Sequence, residues 1–176
     1  MLALHPRLSE KVGQIDRILD SCLDPAQRVG SVMANLAGAT EVLDGLTYTF
    51  DSRHYGRGLV YGDPHGRFSI LALVWQPDQV TPLHAHRAWC AVAMLSGELI
   101  ETTYELPGGI PGQAQLLAQR CLALGDISCD DGDGKGVHRI RNASHTLAIS
   151  LHVYGVPEQR INDGINIILS EDGSPI

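Results

Sequence analysis

The segment 82–104 constrains the fold of this 176-residue chain more than any other stretch. It holds His84 and His86 two residues apart, then an apolar run over 91–95 and a Ser-Gly turn at 96–97. A second run then places on one face Leu99, Glu101 and Thr103. Residues two apart on a strand face the same way, so the two imidazoles could share a metal ion. The pattern predicts a β-hairpin that walls a metal site.

Length and composition limit the class of protein. With 176 residues and 44% hydrophobic residues, the chain can bury one good core. The 19 glycines and 9 prolines, against 5% aromatic residues, favour many short strands and turns over a helical bundle. A net charge of -7 without a basic stripe argues against a nucleic-acid partner.

No targeting segment is predicted. The N-terminus lacks a long apolar region after a basic start, and no run of about eighteen apolar residues occurs, so we expect a cytoplasmic protein with no membrane partner. The four cysteines, without a C-x-x-C pair, are too few for a disulfide scaffold. Two of them, Cys22 and Cys121, lie in apolar patterns and are predicted to be small core residues.

Two helices are predicted near the N-terminus. In the first helix, apolar residues recur at helical spacing, and Ser9 is predicted to be the N-cap; these residues are Leu8, Val12, Ile15, Leu19 and Cys22. The second is predicted to begin at Asp24-Pro25, with Asp24 as the cap. Its inward positions are Val29, Val32, Met33 and Leu36. Amphipathic helices of this kind commonly cover a sheet, so we expect them to serve packing.

The rest of the chain has the pattern of short strands. Strands are predicted over 55–60, 68–75, 115–124 and 149–154, with a last edge strand at 165–169. His54 and His65 are predicted to be solvated loop residues. The acidic stretch 129–135 lacks the residue order of an EF-hand, which favours a flexible acidic loop over a calcium site.

Over 55–154 the sequence also resembles the cupin superfamily. Its first motif is H-x-H followed by Glu and then Gly; Gly97 matches the glycine, whereas Cys90 stands at the glutamate. That replacement is typical of the cupin branch that contains the thiol dioxygenases, such as cysteine dioxygenase. The resemblance implies a mainly β, single-domain cupin, a jelly-roll β-barrel over 46–176 with a helical region at 1–45 packed outside it.

The second cupin motif, a His followed four residues later by Asn, matches His138 and Asn142. A glycine-rich loop replaces its usual Pro-x-Gly upstream. The resemblance implies that His84, His86 and His138 bind one iron(II), with no organic cofactor. Three neutral imidazoles without a carboxylate leave the ion its full charge and an open face, which suits an anionic ligand such as a thiolate beside dioxygen.

The alternating strand at 149–154 places Ser150, His152 and Tyr154 on one face. Buried polar groups need partners, so these three could form a plain hydrogen-bond chain. The same S-x-H-x-Y order occurs in thiol dioxygenases as a relay beside the iron. The resemblance therefore implies that Tyr154 hydrogen-bonds the bound oxygen or substrate, while His152 and Ser150 hold its hydroxyl in place.

Arg57 is the residue that indicates the chemical class of the substrate. Alone it could be a surface residue in a loop, but it matches the Arg with which cysteine dioxygenases bind the substrate carboxylate, and a guanidinium fits a carboxylate. Other features, such as H-x-H-x-x-W, are similar to the bacterial mercaptopropionate dioxygenases, which usually have Gln there. The expected partners are dioxygen and a small thiol carboxylate, cysteine ahead of 3-mercaptopropionate or mercaptosuccinate. We expect a monomer or small homo-oligomer.

Cys90 and Tyr154 resemble the pair that animal cysteine dioxygenases join by a thioether. If the strand of His84 and His86 continues through Trp89, Cys90 shares their face and lies near Tyr154. Otherwise Cys90 is a small buried thiol. Two other classes remain open: a non-catalytic cupin whose metal is structural or absent, and a zinc or nickel cupin acting as an isomerase or hydrolase.

Overall fold

The computed structural model describes residues 4–21, 23–47, 49–51, 54–107, 114–163, 165–171 and 173–176. Over this part of the chain, two α-helices precede strands that form a six-stranded and a five-stranded sheet, both antiparallel. The prediction of a mainly β chain with N-terminal helices is confirmed. The division at 45/46 into a helical region and a barrel stays a prediction.

Both helices begin close to the predicted positions. Helix α1 spans Pro6–Leu19, and its N-cap is His5, whose Nδ1 accepts from the backbone N–H of Arg7. Ser9 as the cap is therefore wrong, because Pro6 with its fixed φ already begins the helix. Helix α2 spans Ala26–Ala34 with Pro25 as its N-cap, one residue later than predicted. A short 3₁₀ helix, Thr40–Leu43, follows.

The six-stranded sheet has the order β1-β2-β3-β10-β5-β8. Its strands are β1 (Thr49–Asp51), β2 (His54–Gly62), β3 (Ser69–Trp75), β5 (Cys90–Ser96), β8 (Ile127–Asp130) and β10 (Ala148–Tyr154). The five-stranded sheet has the order β11-β4-β9-β6-β7. Its strands are β4 (Leu83–His86), β6 (Leu99–Glu105), β7 (Gln115–Leu122), β9 (Val137–Arg141) and β11 (Asn166–Leu169). A second 3₁₀ helix, Glu158–Arg160, lies between β10 and β11.

The central strands β3, β10 and β5 of the six-stranded sheet are buried on both faces, which explains why β3 is apolar after Ser69. One face packs against the helices through residues that include Ile15, Val29, Met33, Phe68 and Leu151. The other face packs in the core that also holds Leu99, Leu122 and Ile140 of the five-stranded sheet. Burying each such large side chain contributes about 1.5–3 kcal/mol. The site described below lies in this second core, between the sheets.

The predicted hairpin over 91–103 is wrong, although its turn is present. β5 pairs with β10 and β8, whereas β6 pairs with β7 and β9, so the turn carries the chain from one sheet to the other. Gly97 has φ +70°, and a Cβ there would lie 2.8 Å from the carbonyl oxygen of Leu147. The local pattern predicts two strands and a turn, but pairing is decided by contacts distant in sequence.

Several smaller predictions can be compared with the structure. β11 lies at a sheet edge as predicted, and His65 is exposed in a turn. His54 is exposed but begins β2 and is not in a loop. Cys121 as a core residue is wrong, because it lies exposed on edge strand β7; Cys22 lies outside the described residues. No helix in the described part of the chain is long and apolar enough to cross a membrane.

Candidate metal centre

Three buried histidines meet between the sheets. His84 and His86 lie on β4, and His138 lies directly opposite His84 on the neighbouring strand β9. One ligand nitrogen from each ring lies within 4.8 Å of the others. The Nε2 atoms of His84 and His138 are 3.2 Å apart. Strand alternation explains the first pair, and cross-strand register brings in His138.

The outer nitrogens of two rings have fixed acceptors. His84 Nδ1 lies 2.9 Å from the Pro82 carbonyl oxygen, and His138 Nδ1 lies 2.9 Å from Glu101 Oε1. A carbonyl and an ionised carboxylate only accept, so both Nδ1 atoms must carry the hydrogen. When both rings are neutral, the two Nε2 lone pairs face each other at 3.2 Å with no hydrogen between them. A cation held by both nitrogens removes that repulsion.

Burial keeps the rings of His84 and His86 in their ligand form. It lowers the pKa of His84 well below its usual value, with a further contribution from His138, and it also lowers the pKa of His86. Neutral imidazole is the form that binds a metal. His86 Nδ1 lies 3.8 Å from Asp130 Oδ1, beyond hydrogen-bond length. The donor set therefore fits a divalent metal cofactor held by three imidazole nitrogens.

A chain of hydrogen bonds runs along the face of β10 that lies toward the histidines. Trp75 Nε1–H donates to Ser150 Oγ at 2.9 Å. Ser150 Oγ lies 2.8 Å from His152 Nε2, and His152 Nδ1 lies 3.0 Å from the Tyr154 hydroxyl. Because Ser150 Oγ already accepts the indole hydrogen, its own hydrogen is available to Nε2, and in that tautomer Nδ1–H donates to the tyrosine oxygen. Burial, with the neighbouring His86, lowers the pKa of His152 to about 3, so the ring stays neutral.

In that tautomer the Tyr154 hydroxyl hydrogen does not go to His152 and is available to Cys90 or to a group in the cavity. The rings of Tyr154 and His86 have their centroids 6.1 Å apart. Both residues line a small cavity of about 20 Å³ together with His84, His138 and His152. Burial also raises the pKa of the Tyr154 hydroxyl well above its usual value, so the group stays protonated at neutral pH.

Cys90 reaches Tyr154 by a route different from the predicted one. β4 ends at His86, so the idea of one strand continuing through Trp89 is wrong. Instead Cys90 begins β5 and is the direct cross-strand partner of Tyr154 on β10. The thiol is buried and within hydrogen-bonding reach of the Tyr154 hydroxyl. Register alone thus brings the two side chains together.

Arg57 lies beside the cavity and does not line it. On β2, Arg57 is the cross-strand partner of Leu73 and lies on the same strand face as Tyr55. Leu73 and Tyr55 both line the small cavity. The side chain of Arg57 is exposed in a pocket of about 440 Å³ that also involves Leu71 and Ile161. Its charge acts on His152 and Tyr154. The structure therefore places Arg57 next to the site, on the face that the site occupies.

Sequence reasoning missed three residues around the centre: Trp75, Glu101 and Asp130. Trp75 begins the hydrogen-bond chain, Glu101 contacts His138, and Asp130 flanks His86. The segment taken as an acidic loop begins within β8, so Asp130 is ordered by the sheet. The sequence did contain a signal for Glu101: it shares a strand face with the apolar Leu99, and a carboxylate buried on such a face needs a hydrogen-bonding or charged partner in the protein interior.

Comparison with known proteins decides the family. A model of the family described as cysteine dioxygenase type I matches residues 3–163. The chain belongs to the cysteine dioxygenase type I family. Family membership confirms the resemblance drawn from the two histidine motifs.

Two relatives in this family carry the name cysteine dioxygenase type 1. The protein from Danio rerio is 34% identical over 119 residues, which cover 62% of this chain and 55% of the relative. The protein from Homo sapiens is 33% identical over 110 residues, which cover 61% of this chain and 54% of the relative. The chain thus spans about half the length of the curated relatives it matches.

A solved structure confirms the predicted cupin fold. A cupin-2 domain from Rhodospirillum rubrum superposes with a TM-score of 0.52 at 14% identity, covering 74% of this chain and 79% of that domain. Identity at this level shows the fold and nothing about chemistry. The cupin fold of this family member therefore consists of the two antiparallel sheets described above.

Proposed function

We propose that this chain is an iron(II)-dependent thiol dioxygenase that converts a small thiol carboxylic acid into its sulfinic acid, with cysteine as the favoured substrate. The observation that carries the proposal is a cavity between the sheets that is lined both by a three-imidazole donor set and by Tyr154. His84, His86 and His138 would hold the ion, which would supply coordination positions for a thiolate and dioxygen. The name shared by the relatives supports a cysteine-like thiol.

The residues around the donor set have distinct proposed tasks. Tyr154 would donate its hydroxyl hydrogen to dioxygen or to the substrate in the tautomer in which His152 Nδ1–H donates to the tyrosine oxygen. His152 and Ser150 fix that direction without contacting the substrate. Leu73, Val92 and Ile140 are apolar side chains that also line the small cavity and would exclude water from it. Positioned donors in a dry site are worth more than the same donors in water.

Arg57 is proposed to hold the substrate carboxylate. Its guanidinium lies in a pocket next to the cavity, on the strand face that Tyr55 shares. A thiol whose carboxylate binds there can extend its sulfur past Leu73 toward the histidines. This arrangement favours a short thiol carboxylate; 3-mercaptopropionate and mercaptosuccinate remain the alternatives to cysteine.

Oxygen consumption by the iron-loaded protein tests the proposal across cysteine, 3-mercaptopropionate, mercaptosuccinate and cysteamine. We expect thiol-dependent uptake, fastest with cysteine, with matching amounts of sulfinate formed. The zinc-loaded protein is the control, because zinc has no redox chemistry. Bound iron without thiol-dependent uptake contradicts the proposal and supports a non-catalytic cupin instead.

The cross-strand pair Cys90–Tyr154 predicts a thioether after turnover. A C–S bond forms between Cys90 Sγ and a ring carbon of Tyr154 in place of the S–H and ring C–H bonds, and dioxygen takes up the two hydrogens as hydrogen peroxide. The linked ring then keeps its hydroxyl in place without losing rotamer freedom on substrate binding. We expect a modest rise in activity. Peptide mapping of protein alkylated after unfolding should find a linked peptide lighter by two hydrogens than its parts.

The other described thiols serve as internal controls for this mapping. Cys121 and Cys129 are free in the structure and should alkylate fully in the same sample. Unfolding is needed because burial raises the pKa of the Cys90 thiol well above its usual value and shields it. Complete alkylation of Cys90 in protein that has turned over rules the cross-link out.

A further inference from the structure

We propose that Glu101 is the positioning residue of the metal centre: its carboxylate fixes the tautomer and direction of His138. The inference deepens the proposed function, since it assigns a residue to the same metal site. Glu101 Oε1 accepts from His138 Nδ1 at 2.9 Å. Outer partners of this kind orient a ligand imidazole and increase its basicity. Nδ1–H on the carboxylate leaves Nε2 as the ligand atom.

Glu101 is built into the fold at a junction of four strands. Its side chain on β6 is only 3% exposed. Thr103 is the direct cross-strand partner of His138 on β9, so Glu101, two residues earlier on β6, lies diagonal to His138. Ser128 Oγ, from β8 of the other sheet, donates to Oε1 at 2.6 Å. Arg120 on β7 donates to Oε2 through Nε at 2.7 Å. The carboxylate thus links the sheets beside the ligand.

The two carboxylate oxygens have separate tasks. Oε1 faces inward and serves His138 and Ser128, whereas Oε2 faces outward and serves two nitrogens of Arg120. Arg120 is half-exposed in an open pocket of about 430 Å³ that Glu101 and His138 also line, and its charge offsets the buried carboxylate. A merely structural Glu101–Arg120 pair does not need Oε1 to point at the ligand. The inward oxygen is what indicates positioning.

Glu101→Gln tests the assignment because His138, Ser128 and Arg120 all donate to the carboxylate and each needs an acceptor there. A carboxamide has one oxygen, so either its NH₂ group meets His138 Nδ1–H and Ser128, or it meets the guanidinium of Arg120. Neither orientation satisfies both sides, and the negative charge is lost. We expect zinc(II) affinity, measured by chelator competition, to fall by about 10-fold or more, as for other outer partners of metal ligands.

Glu105→Gln is the matched control, since it makes the same change at an exposed position of the same strand. Ser128→Ala keeps the carboxylate and should alter zinc affinity much less than Glu101→Gln. Thermal midpoints of all variants report the structural part of each change. The zinc measurements need no turnover, so they test this inference whether or not any thiol is oxidised.

The imidazole N–H resonances of the zinc-loaded protein give a second readout. In the wild type, His138 Nδ1–H should lie downfield of His84 Nδ1–H, because a charged acceptor makes a stronger hydrogen bond than the Pro82 carbonyl. Glu101→Gln should move the His138 signal upfield. The inference is overturned if the wild type lacks the downfield signal, or if Glu101→Gln matches Glu105→Gln in zinc affinity and leaves the signal in place.

Discussion

His86→Ala should reduce the iron bound to the purified protein from about one ion per chain to a small fraction of that. The substitution removes one of three imidazole nitrogens that lie within 4.8 Å of one another. Losing even an outer partner of a ligand costs about 10- to 100-fold in affinity, so losing a ligand should cost more than about 100-fold. Metal analysis after equilibration with iron(II), together with oxygen uptake, measures the effect.

The matched control for this variant is His65→Ala, which removes an imidazole from an exposed turn. It should bind iron and consume oxygen like the wild type. Circular dichroism of both variants separates metal loss from unfolding. Iron retained at wild-type stoichiometry by a folded His86→Ala protein would sink the three-histidine assignment.

Arg57→Ala should lower kcat/KM for cysteine by about 30-fold, mainly through KM. A charge-assisted pair in a binding site is worth roughly 2 to 5 kcal/mol, and the exposure of Arg57 places the cost near the lower end, about 2 kcal/mol. A cost of that size corresponds to about 30-fold at room temperature. Steady-state oxygen uptake over a range of cysteine concentrations measures it.

Two comparisons make the Arg57 prediction specific. Arg28→Ala removes an exposed guanidinium from helix α2 and should leave the kinetics unchanged. Cysteamine lacks a carboxylate, so its oxidation should be poor with the wild type and insensitive to Arg57→Ala. If the wild type oxidises cysteamine as well as cysteine, Arg57 does not select the carboxylate.

Strand periodicity predicted much of the fold, because alternation is a local property. The run 149–154 was expected to place Ser150, His152 and Tyr154 on one face, and β10 does so with direct hydrogen bonds between them. The two-residue spacing of His84 and His86 likewise predicted their shared face. Their roles in catalysis stay predictions, since geometry alone does not report on turnover.

Strand pairing could not be predicted from local pattern. Residues 91–95 and 99–103 looked like a hairpin, yet each strand pairs with partners distant in the chain. The contact of Glu101 with His138 depends on the same long-range register, because 37 residues separate them. The proximity of Cys90 to Tyr154 was anticipated, but through a continuous strand and not through the cross-strand register that produces it.

Oxygen isotope labelling of the product tests the central claim most directly. Iron-loaded protein should be incubated with cysteine under ¹⁸O₂, and the sulfur product analysed by mass spectrometry. The proposed chemistry predicts cysteine sulfinic acid in which both sulfinate oxygens are heavy and one dioxygen is consumed for each product formed. A product that carries a single heavy oxygen, or only cystine with no sulfinic acid, contradicts a thiol dioxygenase.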